Sequence, residues 1–205
     1  MAEHYYTERP SSLPRKGLLS SILRGYKFTF LTASGVFSSR RIDTGTKFLI
    51  ESMILPDEGS ALDIGCGYGP IGITAAKLRP RLRVWMTDVN RRAVALTRKN
   101  SLRNGVENVQ VMYGSLYEPV ESLIFDVVLT NPPISAGIGR VVEPIIVGAF
   151  EHLGYGGSLQ LVVRSNKSGK TLSAIMEKMF GNFEVIARRS GYRVLMAERR
   201  KKGIV

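Results

Sequence analysis

Residues 61–72 read Ala-Leu-Asp-Ile-Gly-Cys-Gly-Tyr-Gly-Pro-Ile-Gly. An apolar stretch too short for a helix runs directly into alternating glycines, and a helical pattern follows over 69–77. Glycine turns a chain sharply and lets other groups come close to the backbone. The pattern therefore specifies a strand, a tight turn and a helix, the unit from which parallel α/β sheets are built. The rest of the chain keeps to that plan. Apolar strands are expected at 83–87, 108–113, 125–130 and 158–163, interleaved with helices at 91–102, 141–153 and 169–179. Strands of continuous apolar character are buried on both faces, so helices must cover the sheet on each side. Two last strands, 182–188 and 192–198, are separated only by Ser190-Gly191. That gap is too short for a helical crossover, so they pair as an antiparallel hairpin.

Residues 1–59 stand apart as an N-terminal extension expected to pack on the core. They carry Pro10, Pro14, a strand at 27–31, the segment Gly35-Val-Phe-Ser-Ser and a helix at 44–54, closed by a turn at Pro56-Asp-Glu-Gly59. Residues 60–205 form one structural unit, and neither internal repeats nor low-complexity segments interrupt it.

Composition removes several classes of function. Cys66 is the only cysteine and His4 and His152 the only histidines, so neither a disulfide framework nor a thiolate or histidine metal site is expected. No apolar run approaches the ~20 residues of a membrane helix, and the polar start MAEHYYTERP is not a signal peptide. A soluble cytoplasmic protein without membrane contact is expected, working as a monomer or a weak homodimer. There are 29 Lys+Arg against 17 Asp+Glu, a formal net charge of +12. Twelve of the basic but five of the acidic residues fall within 131–205. A surplus so placed favours a polyanion, with Arg140, Arg164, Lys167 and Lys170 as phosphate contacts. The run Arg199, Arg200, Lys201, Lys202 also reads simply as a solvated tail.

The glycine turn supports two readings. Gly67, Gly69 and Gly72 fit G-x-G-x-x-G, and Asp88 follows at the spacing that suits a ribose hydroxyl in a dinucleotide site. Taken instead as Asp63 followed by Gly65, Gly67 and Gly69, the run is a different unit and points to a different ligand. Asp88 serves either ligand through charge-assisted hydrogen bonds, and it also reads as a helix N-cap. The more discriminating feature is Asn131-Pro132-Pro133-Ile134, after the strand at 125–130. Two prolines stiffen the turn and remove two backbone donors, and Asn131 is pushed to an extended conformation. The Asn131 side-chain oxygen and the Pro132 carbonyl are expected to converge as two acceptors where a planar amine donates two N–H bonds.

These residues resemble the class I S-adenosylmethionine methyltransferases, and among them the small-domain RNA guanine-N2 methyltransferases. The resemblance spans Gly35-Val-Phe-Ser38, Ile42-Asp-Thr-Gly-Thr46, the segment 63–72, Asn131-Pro-Pro-Ile134 and Gly191-Tyr-Arg193, and so covers almost the whole chain. His4-Tyr5-Tyr6 and Thr44-Gly-Thr46 look like the compact single-domain archaeal form. It implies a Rossmann-like, mostly parallel seven-stranded sheet with helices on both faces and an antiparallel last strand. It implies S-adenosylmethionine at Asp63, Gly65, Cys66, Gly67, Tyr68, Gly69, Asp88, Val89, Ser115, Leu116 and Asn131. It places Asn131, Pro132 and Pro133 at the chemistry, an RNA base (ribosomal or transfer RNA) as acceptor, and no metal. Many relatives have an aromatic residue after Asn-Pro-Pro to stack the base. Ile134 stands here, so the base stacks on Ile134 itself or on an aromatic from elsewhere, with Phe37 the first candidate and Tyr192 the second, and Arg193 as a further substrate contact; Phe37 also reads as ordinary core.

Methyl transfer from a sulfonium is an in-line displacement and needs alignment more than a strong base. Pyrimidine C5 methylation needs a cysteine nucleophile, whereas Cys66 reads as a small packing residue within the turn. Adenine-N6 transfer would use the same Asn-Pro-Pro turn. A nicotinamide-dependent oxidoreductase and a non-catalytic RNA-binding module are the alternatives from other classes.

Overall fold

A computed structural model describes residues 15–165 and 167–201. His4, Tyr5, Tyr6, Pro10, Pro14 and Lys202 lie outside the described residues. The chain opens with a hairpin, β1 (Lys16–Leu23) and β2 (Tyr26–Ala33), followed by α1 (Thr44–Ser52). Then come β3 (Glu58–Ile64), α2 (Pro70–Leu78), β4 (Arg81–Asp88), α3 (Arg91–Arg103), β5 (Val109–Tyr113) and β6 (Phe125–Thr130). It ends with α4 (Glu143–His152), β7 (Leu153–Arg164), α5 (Lys167–Phe180), β8 (Glu184–Arg189) and β9 (Tyr192–Glu198).

Seven strands form one sheet in the order β5-β4-β3-β6-β7-β9-β8. Pairing is parallel from β5 to β7, and β9 runs antiparallel to both β7 and β8. The expected Rossmann-like sheet and closing hairpin are therefore present. Side chains alternate across each strand, and the core divides accordingly. Ala61, Val127, Leu129, Val84 and Met86 pack with α1, α2, α3 and the hairpin on one face. Leu62, Ile64, Val128, Leu159 and Leu161 pack with α4 and α5 on the other.

Two expectations upstream are corrected. β1 was not anticipated, because Leu18, Leu19, Ile22 and Leu23 come in pairs rather than alternating, and Leu18 and Ile22 remain exposed. The turn expected over residues 56–59 is only a bend at Asp57, since Glu58 and Gly59 already pair with Arg81 and Leu82. Asparagines fasten the hairpin to the sheet layer. Asn100 on α3 and Asn104 at its C-cap each accept an N–H from β2 and return a bond to the carbonyl of the same residue, Leu31 and Thr29 respectively. The edge of β2 is thus satisfied by side chains instead of another strand.

Candidate active site

Two cavities meet above the C-terminal ends of the parallel strands, where ligands bind in open α/β sheets, and Phe37, Asn131 and Pro132 line both. The first is walled by Gly65 and Gly67 after β3, Asp88 at the end of β4 with Val89 following it, and Ser115 and Leu116 after β5. Gly67 has a φ of 61°, which residues with side chains avoid, and a Cβ there would meet no protein atom within 4 Å. The turn thus offers bare backbone to open space.

Asp88 sits beside that backbone. Its Oδ2 accepts from the Gly67 N–H and its Oδ1 from the Asn90 N–H, both at 2.8 Å. A carboxylate has about four acceptor sites, so each oxygen keeps capacity for a ligand hydroxyl. The N-cap reading of Asp88 is overturned, because Asn90 fills that role, accepting from Arg92 and Ala93 N–H groups. Asn90 Nδ2 also donates to the Gly35 carbonyl and Arg92 to the Ser34 carbonyl, at 2.8 and 2.6 Å. These bonds hold the loop that brings Val36 and Phe37 against the cavity.

Asp63 stands behind the turn rather than in the cavity wall. It is 1% exposed, and its Oδ2 accepts the Gly72 N–H at 2.9 Å. This bond decides between the two readings of the glycines. A pyrophosphate site uses N–H groups at a helix N-terminus, but Pro70 has none, and the Gly72 N–H already serves a carboxyl group. Burial, with Asp88 nearby, pushes the Asp63 carboxyl up to about 7, and burial pushes Asp88 up to about 6. Backbone N–H groups are the main offset for both. Asp63 Oδ1 is buried without a partner. A buried and a half-buried acid in this state suit a cationic ligand and oppose a dianionic one. The residues present fit S-adenosylmethionine, with its sulfonium and ammonium groups.

The second cavity is lined by Asp43, Asn131, Ile134, Arg164 and Tyr192 as well as Phe37 and Pro132. Asn131 Nδ2 donates to Asp43 Oδ2 at 3.0 Å and to Thr46 Oγ1 at 2.9 Å. Asp43 Oδ2 only accepts, so the amide has one orientation, and Oδ1 is left for a ligand. Asp43 is also the N-cap of α1, accepting the Thr46 N–H at 3.0 Å. A Cβ on Gly45 would lie 3.0 Å from Asp43 Oδ2 and 3.1 Å from the Tyr192 ring, which explains the glycine between the two threonines. Sequence reasoning noted Ile42-Asp-Thr-Gly-Thr46 without giving it this role. The available signal was an N-cap residue followed by a glycine inside a helix start.

The Pro132 carbonyl departs from expectation. It accepts the Ile134 N–H at 2.9 Å, and Pro133 has φ −76° and ψ 79°, an inverse γ-turn. One lone pair of that carbonyl is occupied and one remains. Pro133 lines the first cavity, Ile134 the second.

Other expected site residues lie elsewhere. Tyr68 is buried with its ring edge-on to Phe30, so it belongs to the core under the hairpin. Gly69 is the N-cap of α2, packed on Ile73 and Thr97. Cys66 is buried 3.8 Å from the Thr97 hydroxyl, and burial, then Asp88 and Asp63, push its thiol well up, which suits packing and not nucleophilic attack. Arg193 follows Tyr192 on β9 and so points to the opposite face, where its guanidinium abuts Gly169 on α5. Arg140 rims the first cavity and Arg164 lines the second, 5.5 Å from the Tyr192 ring centre. Lys170 is exposed on α5 and lines neither, and the Lys167 side chain lies outside what is described. No group of His, Cys, Asp and Glu able to hold a metal, and no helix long and apolar enough to cross a membrane, occurs among the described residues.

An uncharacterized protein of Bacillus subtilis, YbxB, is 39% identical over 201 residues, 97% of this chain and 100% of the relative. Ribosomal RNA small subunit methyltransferase C of Serratia proteamaculans is 31% identical over 169 residues, 81% of this chain and 47% of that protein. The solved 16S rRNA N2 G1207 methyltransferase of T. thermophilus, in complex with AdoMet and guanosine, superposes with a TM-score of 0.81 at 26% identity. That superposition covers 93% of this chain and 52% of the other. The chain thus spans about half the length of the ribosomal RNA methyltransferases it matches. Residues 27–196, which hold both cavities and the whole sheet up to Met196, match the methyltransferase small domain family, and the chain belongs to that family.

Proposed function

We propose that this protein transfers the methyl group of S-adenosylmethionine to the exocyclic N2 amine of a guanine in ribosomal RNA, acting in the cytoplasm. The observation that carries the reading is Asn131 at the junction of the two cavities, its amide locked by Asp43 and Thr46 with Oδ1 left for an amine. S-adenosylmethionine supplies an electrophilic methyl group when bound. The chain supplies alignment. Asp88 and the Gly65–Gly67 backbone hold the donor in the first cavity, and Phe37 and Pro132 shape the passage to the second. An aryl amine has its lone pair delocalised into the ring. Acceptors on its two N–H bonds, Asn131 Oδ1 and the remaining lone pair of the Pro132 carbonyl, favour the more tetrahedral, partly positive nitrogen of the transition state. A nitrogen methylated in this way is acidic enough to lose its proton to water. No general base is needed, and His152 lies away from both cavities, stacked on Tyr117 on α4's side of the sheet.

A base edge inside a duplex is unreachable, so the target is single-stranded or turned out of its stack. Labelled methyl incorporation into ribosomal RNA from cells lacking the gene, followed by digestion and mass spectrometry of nucleosides, tests the reading. N2-methylguanosine is the expected product. Label in N6-methyladenosine, or in protein and not RNA, would contradict it.

A further inference from the structure

Asp43 does more than its N-cap duty requires. One side-chain oxygen suffices to cap a helix, and Oδ2 alone takes both the Thr46 N–H and the Asn131 amide. Oδ1 has no hydrogen bond among the described residues, and Asp43 lines the second cavity next to Asn131 and Pro132. The residues lining that cavity therefore carry three acceptors: Asn131 Oδ1, the second lone pair of the Pro132 carbonyl, and Asp43 Oδ1. Nucleobase edges differ in what they present to such a rim. Beside its exocyclic amine, guanine carries N1–H, a donor. Adenine carries N1, and cytosine N3, each a bare lone pair beside the amine.

Resting on the acceptor site proposed above, we infer that Asp43 determines base specificity: its free carboxylate oxygen accepts guanine N1–H and repels bases with a lone pair at that position. Specificity here is a difference of affinities, gained from a charge-assisted bond to one base and lost as an acceptor–acceptor clash with the others. The substitution Asp43→Asn isolates the effect. Asparagine caps helices as well as aspartate does. Both neighbours of Oδ2 donate, so the amide oxygen must take that place and the amide nitrogen must replace Oδ1. The cap and the grip on Asn131 survive, while the group facing the base changes from acceptor to donor.

The test is binding of nucleosides to the protein saturated with S-adenosylhomocysteine, followed by NMR titration. Guanosine is compared with 2-aminopurine riboside, which keeps the N2 amine but has an unprotonated N1, and with adenosine. The wild type should prefer guanosine over 2-aminopurine riboside by about 10–100-fold, the worth of one charge-assisted hydrogen bond. In Asp43→Asn the preference should vanish or invert toward 2-aminopurine riboside and adenosine, with S-adenosylhomocysteine affinity unchanged. Equal affinity of the wild type for guanosine and 2-aminopurine riboside overturns the role of Asp43, and does so without any variant. A guanosine preference retained in Asp43→Asn overturns it too. Binding of none of the three nucleosides, with S-adenosylhomocysteine bound, overturns the acceptor site itself and this inference with it.

Discussion

The two cavities are built in opposite ways. The first is assembled from consecutive strand ends: the turns after β3, β4 and β5 supply Gly65, Gly67, Asp88, Val89, Ser115 and Leu116. Asp88 in its wall and Asp63 behind the turn are held by backbone N–H groups. The second draws on segments far apart in the chain, with Phe37 and Asp43 before the sheet begins, Asn131 and Ile134 after β6, Arg164 at the end of β7 and Tyr192 at the start of β9. Its polar groups are side chains gripping one another. The donor side is thus fixed by local backbone geometry. The acceptor side exists only because the sheet order sets β6 beside β7 and β7 beside β9.

If this division is correct, damage on each side should have a different signature. Asn131→Ala should have the largest effect, lowering the methyl-transfer rate by about 10²–10³-fold, the scale seen when one group aimed at developing charge is removed. Its affinity for S-adenosylmethionine, measured by calorimetry, should stay close to that of the wild type. Asp88→Ala should do the reverse, weakening the donor about 10–100-fold through lost charge-assisted bonds while the rate at saturating donor changes far less.

A pH dependence sharpens the contrast further. Asp63 and Asp88 have folded-state carboxyls raised to about 7 and about 6. Across the window from about pH 4 to pH 7 the folded protein therefore holds more protons than the unfolded chain, so stability falls as pH rises and levels off above. The ligand-free Tm should drop by on the order of 5 °C between about pH 5 and pH 8. Bound S-adenosylhomocysteine, which brings an ammonium group, should flatten the decline, and Asp63→Asn should reduce it. Guanosine should not. Cys66→Ser should have the smallest effect, because Cys66 sits behind the turn against Thr97, where a serine hydroxyl finds the same partner. Methylation kinetics should show near wild-type turnover; complete loss with donor binding preserved would mean that the thiol takes part in the chemistry.

The same division governs what could be read in the sequence. Glycines after an apolar strand, an acid at the next strand end and Asn-Pro-Pro at a third each carry their meaning within a few residues, and Gly65, Gly67, Asp88, Asn131 and Pro132 all line the cavities. Tyr68 and Cys66 lie within the same run, but the turn directs them inward, because alternate residues of a tight turn face opposite ways. Asp43 was in view as part of a motif and carried no role, since nothing in spacing says that α1 starts beside the end of β6. Tyr192 and Arg193 are expected together from the segment Gly191-Tyr-Arg193, and the period of two separates them onto opposite faces. Two prolines remove two donors beside the Pro132 carbonyl, and the Ile134 N–H, the next one along, folds back onto it, a bond that spacing does not announce.

The most direct measurement is a crystal structure of the protein with a non-reactive sulfonium analogue and guanosine. The account predicts the sulfonium against Gly65, Gly67 and Asp88, guanine N2 in hydrogen-bond contact with Asn131 Oδ1, and the amide nitrogen still on Asp43 and Thr46. A donor lodged away from the glycine turn, or an Asn131 amide turned from the guanine amine, would contradict it.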